Sequence, residues 1–152
     1  MRVETILAAL AATCLATTAA AEPFTGTYQN GPVTMVMVSA KGEPAQGGAY
    51  WQGSTTAVSK SGATTKSTYT CVGWLTPGQA TTNTAVCNAA DNDTDKWSVQ
   101  ILCLVPDITD PSKPGTCWGA MIGTGGKYAG KTGQFVQYGT TVSGTSQGAW
   151  ND

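Results

Sequence analysis

The sequence predicts an all-β fold, an eight-stranded antiparallel barrel, with a two-sheet β-sandwich as the alternative. Thr, Gly, Ser and Val dominate the chain, and Gly or Pro interrupts it about every ten residues. Apolar residues at helical spacing never extend beyond a turn or two. About eight short segments remain between the interruptions, and closing that many strands into a barrel removes the exposed sheet edges.

The predicted strands begin with Val33–Ser39, an apolar run that indicates a well-buried strand. Lys66–Leu75 alternates, which places Tyr69, Cys71 and Gly73 on one face of the strand. The other predicted strands are Ala49–Val58, Thr82–Asn88, Lys96–Val105, Thr116–Ile122, Gln134–Val142 and Gly144–Asp152. The segments 91–95 and 106–115 are polar and proline-rich respectively, and they predict loops.

Residues 1–21 are typical of a secretory signal peptide. Arg2 supplies positive charge, Ile6–Ala16 is apolar, and Ala19–Ala21 forms a cleavage site. The apolar core is shorter than the roughly 20 residues that a membrane-spanning helix needs, and no later segment is apolar enough to span. We therefore expect a single domain over residues 22–152, secreted or periplasmic, with no membrane span.

The charge balance argues against a nucleic-acid-binding surface. The chain has a net charge of −1, and residues 22–152 contain seven scattered Lys, eight acids, no Arg and no His. Phosphate backbones are bound by clustered Lys and Arg. Without His or a C-x-x-C pair, neither a zinc site nor an activated catalytic thiol is expected. The sequence indicates no cofactor and no metal.

Four cysteines remain after the signal peptide, and an even count in an exported chain predicts two disulfides. Their spacing favours Cys71–Cys87 and Cys103–Cys117 as bridges between neighbouring strands. Each bridge would close a loop of about 15 residues and contribute about 3 kcal/mol in the chain-entropy model. The main rival pairing is Cys87–Cys103 with Cys71–Cys117.

The segment Gly125–Thr132 matches the phosphate-loop pattern G-x-x-x-x-G-K-[ST]. That motif binds nucleotide only where a strand leads into the loop and a helix begins at the Lys-Thr pair. Gly133 and the β-rich segment after it do not predict a helix. We therefore expect a turn between strands and no nucleotide site, with Tyr128 packing back over the end of the barrel.

The segment Gly123–Gly133, G-T-G-G-K-Y-A-G-K-T-G, resembles the G-G-T-G-K-[YF]-A-G-x-x-G segment of allene-oxide-cyclase-like and dirigent-like barrels, with an extra glycine before Lys127. Cys71, Cys87 and the acidic segment Asp91–Trp97 also resemble small exported bacterial members of this family. The resemblance implies an eight-stranded antiparallel barrel with an axial cavity. Dirigent proteins use acids, Tyr and Arg at the pocket, and residues 22–152 have no Arg, so no catalytic residue is transferred.

Two further patterns concern binding. Asp91, Asp93 and Asp95 have the spacing that opens a calcium loop, but the Gly and Glu that an EF-hand needs further on are replaced by Lys and Leu. A solvated hairpin loop is the favoured interpretation. Five Trp and five Tyr suit barrel packing or an aromatic-lined cavity. The first candidates for ligand contact are Tyr50, Trp51 and Trp118.

Together these observations favour an exported, non-catalytic barrel that binds a small apolar molecule or has a structural role. The first alternative is a cyclase- or isomerase-like enzyme, which needs a carboxylate inside the cavity. The second alternative is a protein-partner or assembly module, oligomers included, which would display an exposed apolar patch.

Overall fold

The structure, a computed structural model, describes residues 21–39, 41–42, 46–75, 81–105, 110 and 112–151. Residues 1–20 of the predicted signal peptide lie outside this range. In the described part of the chain, no helix has the length and apolarity to cross a membrane. The strands are β1 Glu22–Asn30, β2 Thr34–Val38, β3 Gln46–Ser59, β4 Thr64–Leu75, β5 Thr82–Ala90, β6 Lys96–Leu104, β7 Gly115–Gly125, β8 Thr132–Gly139 and β9 Ser143–Asn151.

Eight of these strands form a closed antiparallel barrel, which confirms the predicted fold class. The neighbours run β1-β9-β8-β7-β6-β5-β4-β3, and β1 pairs again with β3 to close the ring. β2 is an additional strand that pairs with the first five residues of β3, just beyond the end of β1. The closure arises because β3 is long enough to pair with β1 along one half and β2 along the other.

Alternation along each strand separates the inside of the barrel from the outside. In β4, Tyr69, Cys71 and Gly73 point inward, as the sequence predicts, whereas Val72 and Trp74 are exposed on the outer face. The buried core is formed by inward-facing residues that meet across the barrel: Cys71, Ala85, Cys87, Val99, Ile101, Met121, Tyr128, Phe135 and Trp150. Period-two patterning therefore determines which residues the interior receives.

Both disulfides join directly opposed residues of adjacent strands, and the preferred pairing is confirmed. Cys71 and Cys87 are cross-strand partners in the β4–β5 register, and Cys103 and Cys117 are partners in the β6–β7 register. All four side chains lie inside the barrel. The two disulfides are consistent with an oxidising, extracytoplasmic environment.

Two expectations about individual strands are wrong. The apolar run that includes Thr34–Val38 was expected to be buried, but all five residues of β2 are exposed. An apolar run shows that a segment can be buried, but not whether other elements cover it. Glu22–Asn30 was assigned no strand, yet it forms β1 with Phe24 and Tyr28 facing inward.

The two rims of the barrel differ in composition, and we name them accordingly. The charged end contains the turns 60–63, 91–95 and 126–131, with the side chains of Asp91, Asp95 and Lys127. The apolar end contains β2 and the turn 140–142, together with the last residues of β4 and β6 and the first of β5 and β7. Large apolar side chains are exposed there on the outer face, among them Val36, Tyr50 and Trp74.

Candidate ligand-binding cavity

A cavity of about 470 Å³ lies inside the barrel, lined by residues from all nine strands. Trp51, Trp97 and Tyr69 point into it and remain partly exposed, since they border the cavity as well as the packed core. The volume falls within the range of roughly 300–1,000 Å³ typical of small-molecule sites. The barrel therefore encloses space for one small ligand in addition to its packed side chains.

Apolar and aromatic side chains form most of the cavity wall. Trp51 lies on the inner face of β3 beside Gly73 of the neighbouring strand, where a Cβ would lie only 3.1 Å from the indole ring. The absence of a side chain at Gly73 thus makes room for the indole. Phe135 and Ile101 contribute further apolar surface from β8 and β6.

Two tyrosines that line the cavity are held by hydrogen bonds to the β1 and β8–β9 regions. The Tyr69 hydroxyl donates to Asn30 Oδ1 at 2.7 Å, and the Tyr28 hydroxyl donates to the Thr140 carbonyl at 2.8 Å. Asn30 Nδ2 donates to the Thr141 carbonyl at 2.9 Å, which fixes the amide orientation. Burial raises the pKa of both tyrosines, and for Tyr69 the nearby Tyr28 adds to the effect.

An aromatic cluster fills the barrel at the charged end. The Tyr128 and Trp150 rings lie 4.7 Å apart between centroids, and Trp97 meets Trp150 edge-on at 6.0 Å. Tyr128 and Trp150 are both buried. Tyr128 therefore packs over the end of the barrel, as the sequence predicts.

Next to this cluster, in the turn between β5 and β6, the Asp91 carboxylate accepts from three donors. Asp91 Oδ1 accepts from the Ser67 hydroxyl, and Asp91 Oδ2 accepts from the Tyr128 hydroxyl at 2.7 Å. Lys127 Nζ lies 2.6 Å from the same Oδ2, and the Asp91 side chain is only 6% exposed. The buried negative charge is thus compensated by an ammonium group and two hydroxyls, which a buried carboxylate requires.

Two groups at this end have shifted pKa values. Burial, followed by the hydrogen bond to Asp91, raises the pKa of Tyr128. The pKa of Asp95 is lowered, chiefly because its carboxylate accepts the backbone N–H of Lys127 at 3.0 Å. The side chain of Asn92 also donates to Asp95 at 2.8 Å. The hydrogen bonds that Asp95 accepts therefore join the turn 91–95 to the turn 126–131.

The Asp91–Asp95 turn does not gather its three acids around a common point. Asp91 faces Ser67 and Tyr128, Asp93 is exposed, and Asp95 receives donors from the turn 126–131. Asn92 Oδ1 accepts from the backbone N–H groups of residues 94 and 95 and closes the hairpin turn. Among the described residues, no group of three or more His, Cys, Asp or Glu side chains is arranged to hold a metal ion.

The phosphate-loop match is a β-hairpin, and no helix follows its lysine. β7 ends at Gly125, residues 126–128 form a single 3₁₀ turn, and β8 begins at Thr132. Gly126 has a φ of +58°, and a Cβ there would run into the Asp95 carboxylate. Gly130 has a φ of +80° with open space around it. Glycine is needed at both positions for its backbone, and at Gly126 also for close contact.

The three aromatic residues proposed for ligand contact do not lie together. Trp51 lines the cavity, as expected, but Tyr50 and Trp118 are exposed on the outer face of the barrel. Tyr50 and Trp51 are consecutive in β3, so only one of them can face inward. The other aromatic residues of the wall were not among the candidates, although Tyr69 was already assigned to the face of Cys71 by alternation.

No described Asp or Glu lines the cavity, which bears on the enzyme alternative. Asp91 is the acid nearest to that role, because it is buried and contacts two residues of the wall. Asp110 is exposed and pairs with Lys113. Glu43 and Asp107 lie outside the described residues. The condition that would have eliminated an enzyme, all acids being exposed, is therefore not met.

A second depression, of about 980 Å³, is a wide open groove bordered by polar residues of β3, β4 and β5 such as Gln52, Thr70 and Asn88. Its openness suits it poorly to enclosing a small apolar molecule. Comparison with known proteins adds no identification, since no protein-family model, no curated protein and no solved structure matches this chain.

Proposed function

We propose that this protein is an exported, non-catalytic barrel that binds a small apolar molecule in its internal cavity. The observation that carries the proposal is the space of about 470 Å³ inside the barrel, with a wall of aromatic and aliphatic side chains. Burying apolar ligand surface against such a wall supplies about 25 cal/mol per Å². Trp51, Trp97 and Phe135 are among the aromatic residues of this wall.

The disulfides and the predicted signal peptide support a secreted or periplasmic location. The resemblance of Gly123–Gly133 to allene-oxide-cyclase-like and dirigent-like barrels agrees with a ligand inside the barrel. A cyclase- or isomerase-like enzyme is the alternative within the same cavity. It is less favoured because the described wall contains no carboxylate and Asp91 is already paired with Lys127.

A cavity-blocking substitution tests the proposal. Ala49 lines the cavity, so Ala49→Phe should fill it, whereas Ala120 is exposed on the outer face of β7 and Ala120→Phe adds the same bulk outside. We expect an uncharged fluorescent probe, N-phenyl-1-naphthylamine, to bind the wild type and Ala120→Phe equally and Ala49→Phe at least tenfold more weakly. Equal binding to all three proteins, with circular dichroism unchanged, would contradict binding inside the barrel.

Native mass spectrometry of protein purified from its own source complements this test. A co-purifying small molecule that is lost in Ala49→Phe and retained in Ala120→Phe would identify the ligand. Turnover of that molecule by the wild type would favour the enzyme alternative over a binding barrel.

Self-association is a second candidate function, and a specific surface favours it. Tyr50 pairs with Val72 across the outer face, and Leu102 pairs with Trp118 in the same way. These side chains are each between 42% and 54% exposed. They extend the exposed apolar surface from β3 to β7 at the apolar end. Surfaces of this kind mark protein interfaces.

A second copy of the chain is the partner that fits this surface best. β2 pairs with β3 on one side only among the described residues, and its five residues are uncharged and exposed. Antiparallel pairing of β2 with its two-fold mate would satisfy the unpaired backbone groups. We expect a dimer by light scattering that Val36→Lys converts to monomer and Ser54→Lys, on the polar outer face of β3, does not. A wild type that stays monomeric at 100 µM would contradict this second function.

A further inference from the structure

Five of the hydroxyl groups that line the cavity share one feature that concerns the ligand. The Tyr28 hydroxyl donates to a backbone carbonyl, Tyr69 to an amide oxygen, and Thr55 to the Thr27 carbonyl. Ser67 and Tyr128 both donate to the carboxylate of Asp91. None of these acceptors can donate a hydrogen bond, so each hydroxyl donates its own proton to a group of the barrel. Each of these hydroxyl oxygens can therefore only accept a hydrogen bond from a ligand, through a lone pair.

Ser67 and Tyr128 form the strongest acceptor pair among these hydroxyls. Their oxygens are held on the two oxygens of one carboxylate, and both residues line the cavity. A hydroxyl that donates to an anion becomes a better acceptor, because the hydrogen bonds in a chain polarise one another. Lys127 Nζ also lies 2.6 Å from Asp91 Oδ2, so the carboxylate has a cationic partner. The cavity thus presents two hydroxyl oxygens as acceptors at its charged end, where no charged side chain of the described residues lines it.

The amide and ammonium side chains of the described cavity wall lie towards the opposite end, whereas the indole N–H groups of Trp97 and Trp150 are at the charged end. Asn83 and Gln137 are near the apolar-end limits of β5 and β8, and Lys113 belongs to the neighbouring connection between β6 and β7. Lys113, which also pairs with Asp110, would attract an anionic ligand head, whereas the oxygens of Ser67 and Tyr128 would repel it. The polarity of the cavity therefore constrains both the chemistry and the orientation of its ligand.

We propose that the ligand is an apolar molecule carrying a hydroxyl or N–H group, which donates to the Ser67 and Tyr128 oxygens at the charged end while the apolar body extends towards Trp51. This inference rests on the proposed function, since it specifies the ligand class of the same cavity. It excludes carboxylate-headed lipids as ligands with their head at the charged end.

Naphthalenes that differ in one substituent provide the test. We expect calorimetry to show 2-naphthol binding about tenfold more tightly than 2-methoxynaphthalene, because an ether oxygen facing an acceptor leaves both unsatisfied. 2-Naphthoate should bind most weakly. Ser67→Ala should remove the preference for 2-naphthol. Ser98→Ala is the matched control, since that serine donates to Asn88 Oδ1 at 2.7 Å on the outer face, and the preference should persist.

The outcomes separate the two levels of the proposal. Equal affinity of the wild type for 2-naphthol and 2-methoxynaphthalene would overturn the donor requirement while leaving binding in the cavity intact. Tightest binding of 2-naphthoate would also overturn it, in favour of Lys113. Failure of every naphthalene to bind would refute the proposed function itself. Retained 2-methylnaphthalene binding by Ser67→Ala shows that this variant is folded.

Discussion

The two ends of the barrel use different interactions, and the contrast separates stability from binding. At the charged end, Asp91 connects β4 to the two neighbouring turns through Ser67, Tyr128 and Lys127, and Trp150 packs beneath them. At the apolar end, β2 pairs with β3 alone among the described residues, and large apolar side chains are exposed. Packed side chains close the barrel at the charged end, whereas large apolar side chains are exposed to solvent at the apolar end.

The largest expected effect is the loss of stability when a disulfide is removed. Removing either bridge by Cys→Ser substitution of both partners should cost about 3 kcal/mol of unfolding free energy, because both loops have similar lengths. Their accessibility differs, however. Cys71 and Cys87 are 2% exposed, whereas Cys103 and Cys117, nearer the apolar end, are partly exposed to the cavity.

Mild reduction of the native protein should therefore open Cys103–Cys117 first. Alkylation after timed exposure to dithiothreitol, followed by peptide mass spectrometry, measures the order. Simultaneous reduction of both bridges would mean that the barrel opens globally before either disulfide reacts, and the proposed difference between the ends would be lost.

Asp91 provides the next largest effect. Asp91→Ala removes the common acceptor of Ser67 and Tyr128 and leaves Lys127 without its buried partner. We expect a loss of about 2 kcal/mol, because hydroxyls left unsatisfied in a packed site are costly, while the half-exposed ammonium of Lys127 can turn to water. Urea denaturation with the disulfides intact measures this loss.

Asp93→Ala is the control for that experiment, since Asp93 lies exposed in the same turn. It should change the unfolding free energy by less than about 0.5 kcal/mol. If both variants lost the same stability, the effect would belong to the turn in general and the Asp91 cluster would have no special role.

The two glycines of the β7–β8 turn distinguish backbone strain from contact. Gly130→Ala introduces only the strain of a positive φ, about 1 kcal/mol. Gly126→Ala adds a collision with the Asp95 carboxylate to that strain, so a loss nearer to 2 kcal/mol is expected. Thermal unfolding of both variants measures the difference, and a larger loss for Gly130→Ala would show that the turn does not depend on its contact with Asp95.

The sequence contains enough information for the fold but not for the chemistry of the cavity. Alternation in Lys66–Leu75 places Tyr69 and Cys71 inside the barrel. The spacing of the four cysteines along the chain favours the two cross-strand disulfides. The Asp91–Tyr128 hydrogen bond joins residues 37 positions apart in different turns, so it depends on the register of three strand pairs. No local pattern encodes such a contact.

The errors have equally specific causes. The apolar run in β2 satisfies the pattern of a buried strand, but nothing described covers its outer edge. Tyr50 and Trp51 are consecutive, so they face opposite sides of the strand. Which of them faces inward can be told from the sequence only when the register of the strand is known. The glycine cluster was interpreted correctly as a turn because the β-branched residues after it exclude a helix.

The smallest expected effect is an alkaline dependence of stability that originates at the charged end. The raised pKa of Tyr128 means that the unfolded chain loses this proton near pH 10 while the folded chain keeps it. The stabilisation is therefore complete below about pH 10 and declines as the pH rises further. At pH 11 this single group should account for a loss of about 1.4 kcal/mol at most.

Comparison of Tyr128→Phe with Ser67→Ala isolates that effect. Both variants lose a hydrogen bond to Asp91, but only the first removes a titrating group. Between pH 8 and 11, the stability difference between wild type and Tyr128→Phe should shrink, because the wild type loses the contribution that the variant already lacks. The difference for Ser67→Ala should stay constant in urea denaturation over the same range. Parallel pH profiles for the two variants would show that Tyr128 ionises as easily in the folded barrel as in the unfolded chain, and that the charged end does not seal its tyrosine from water.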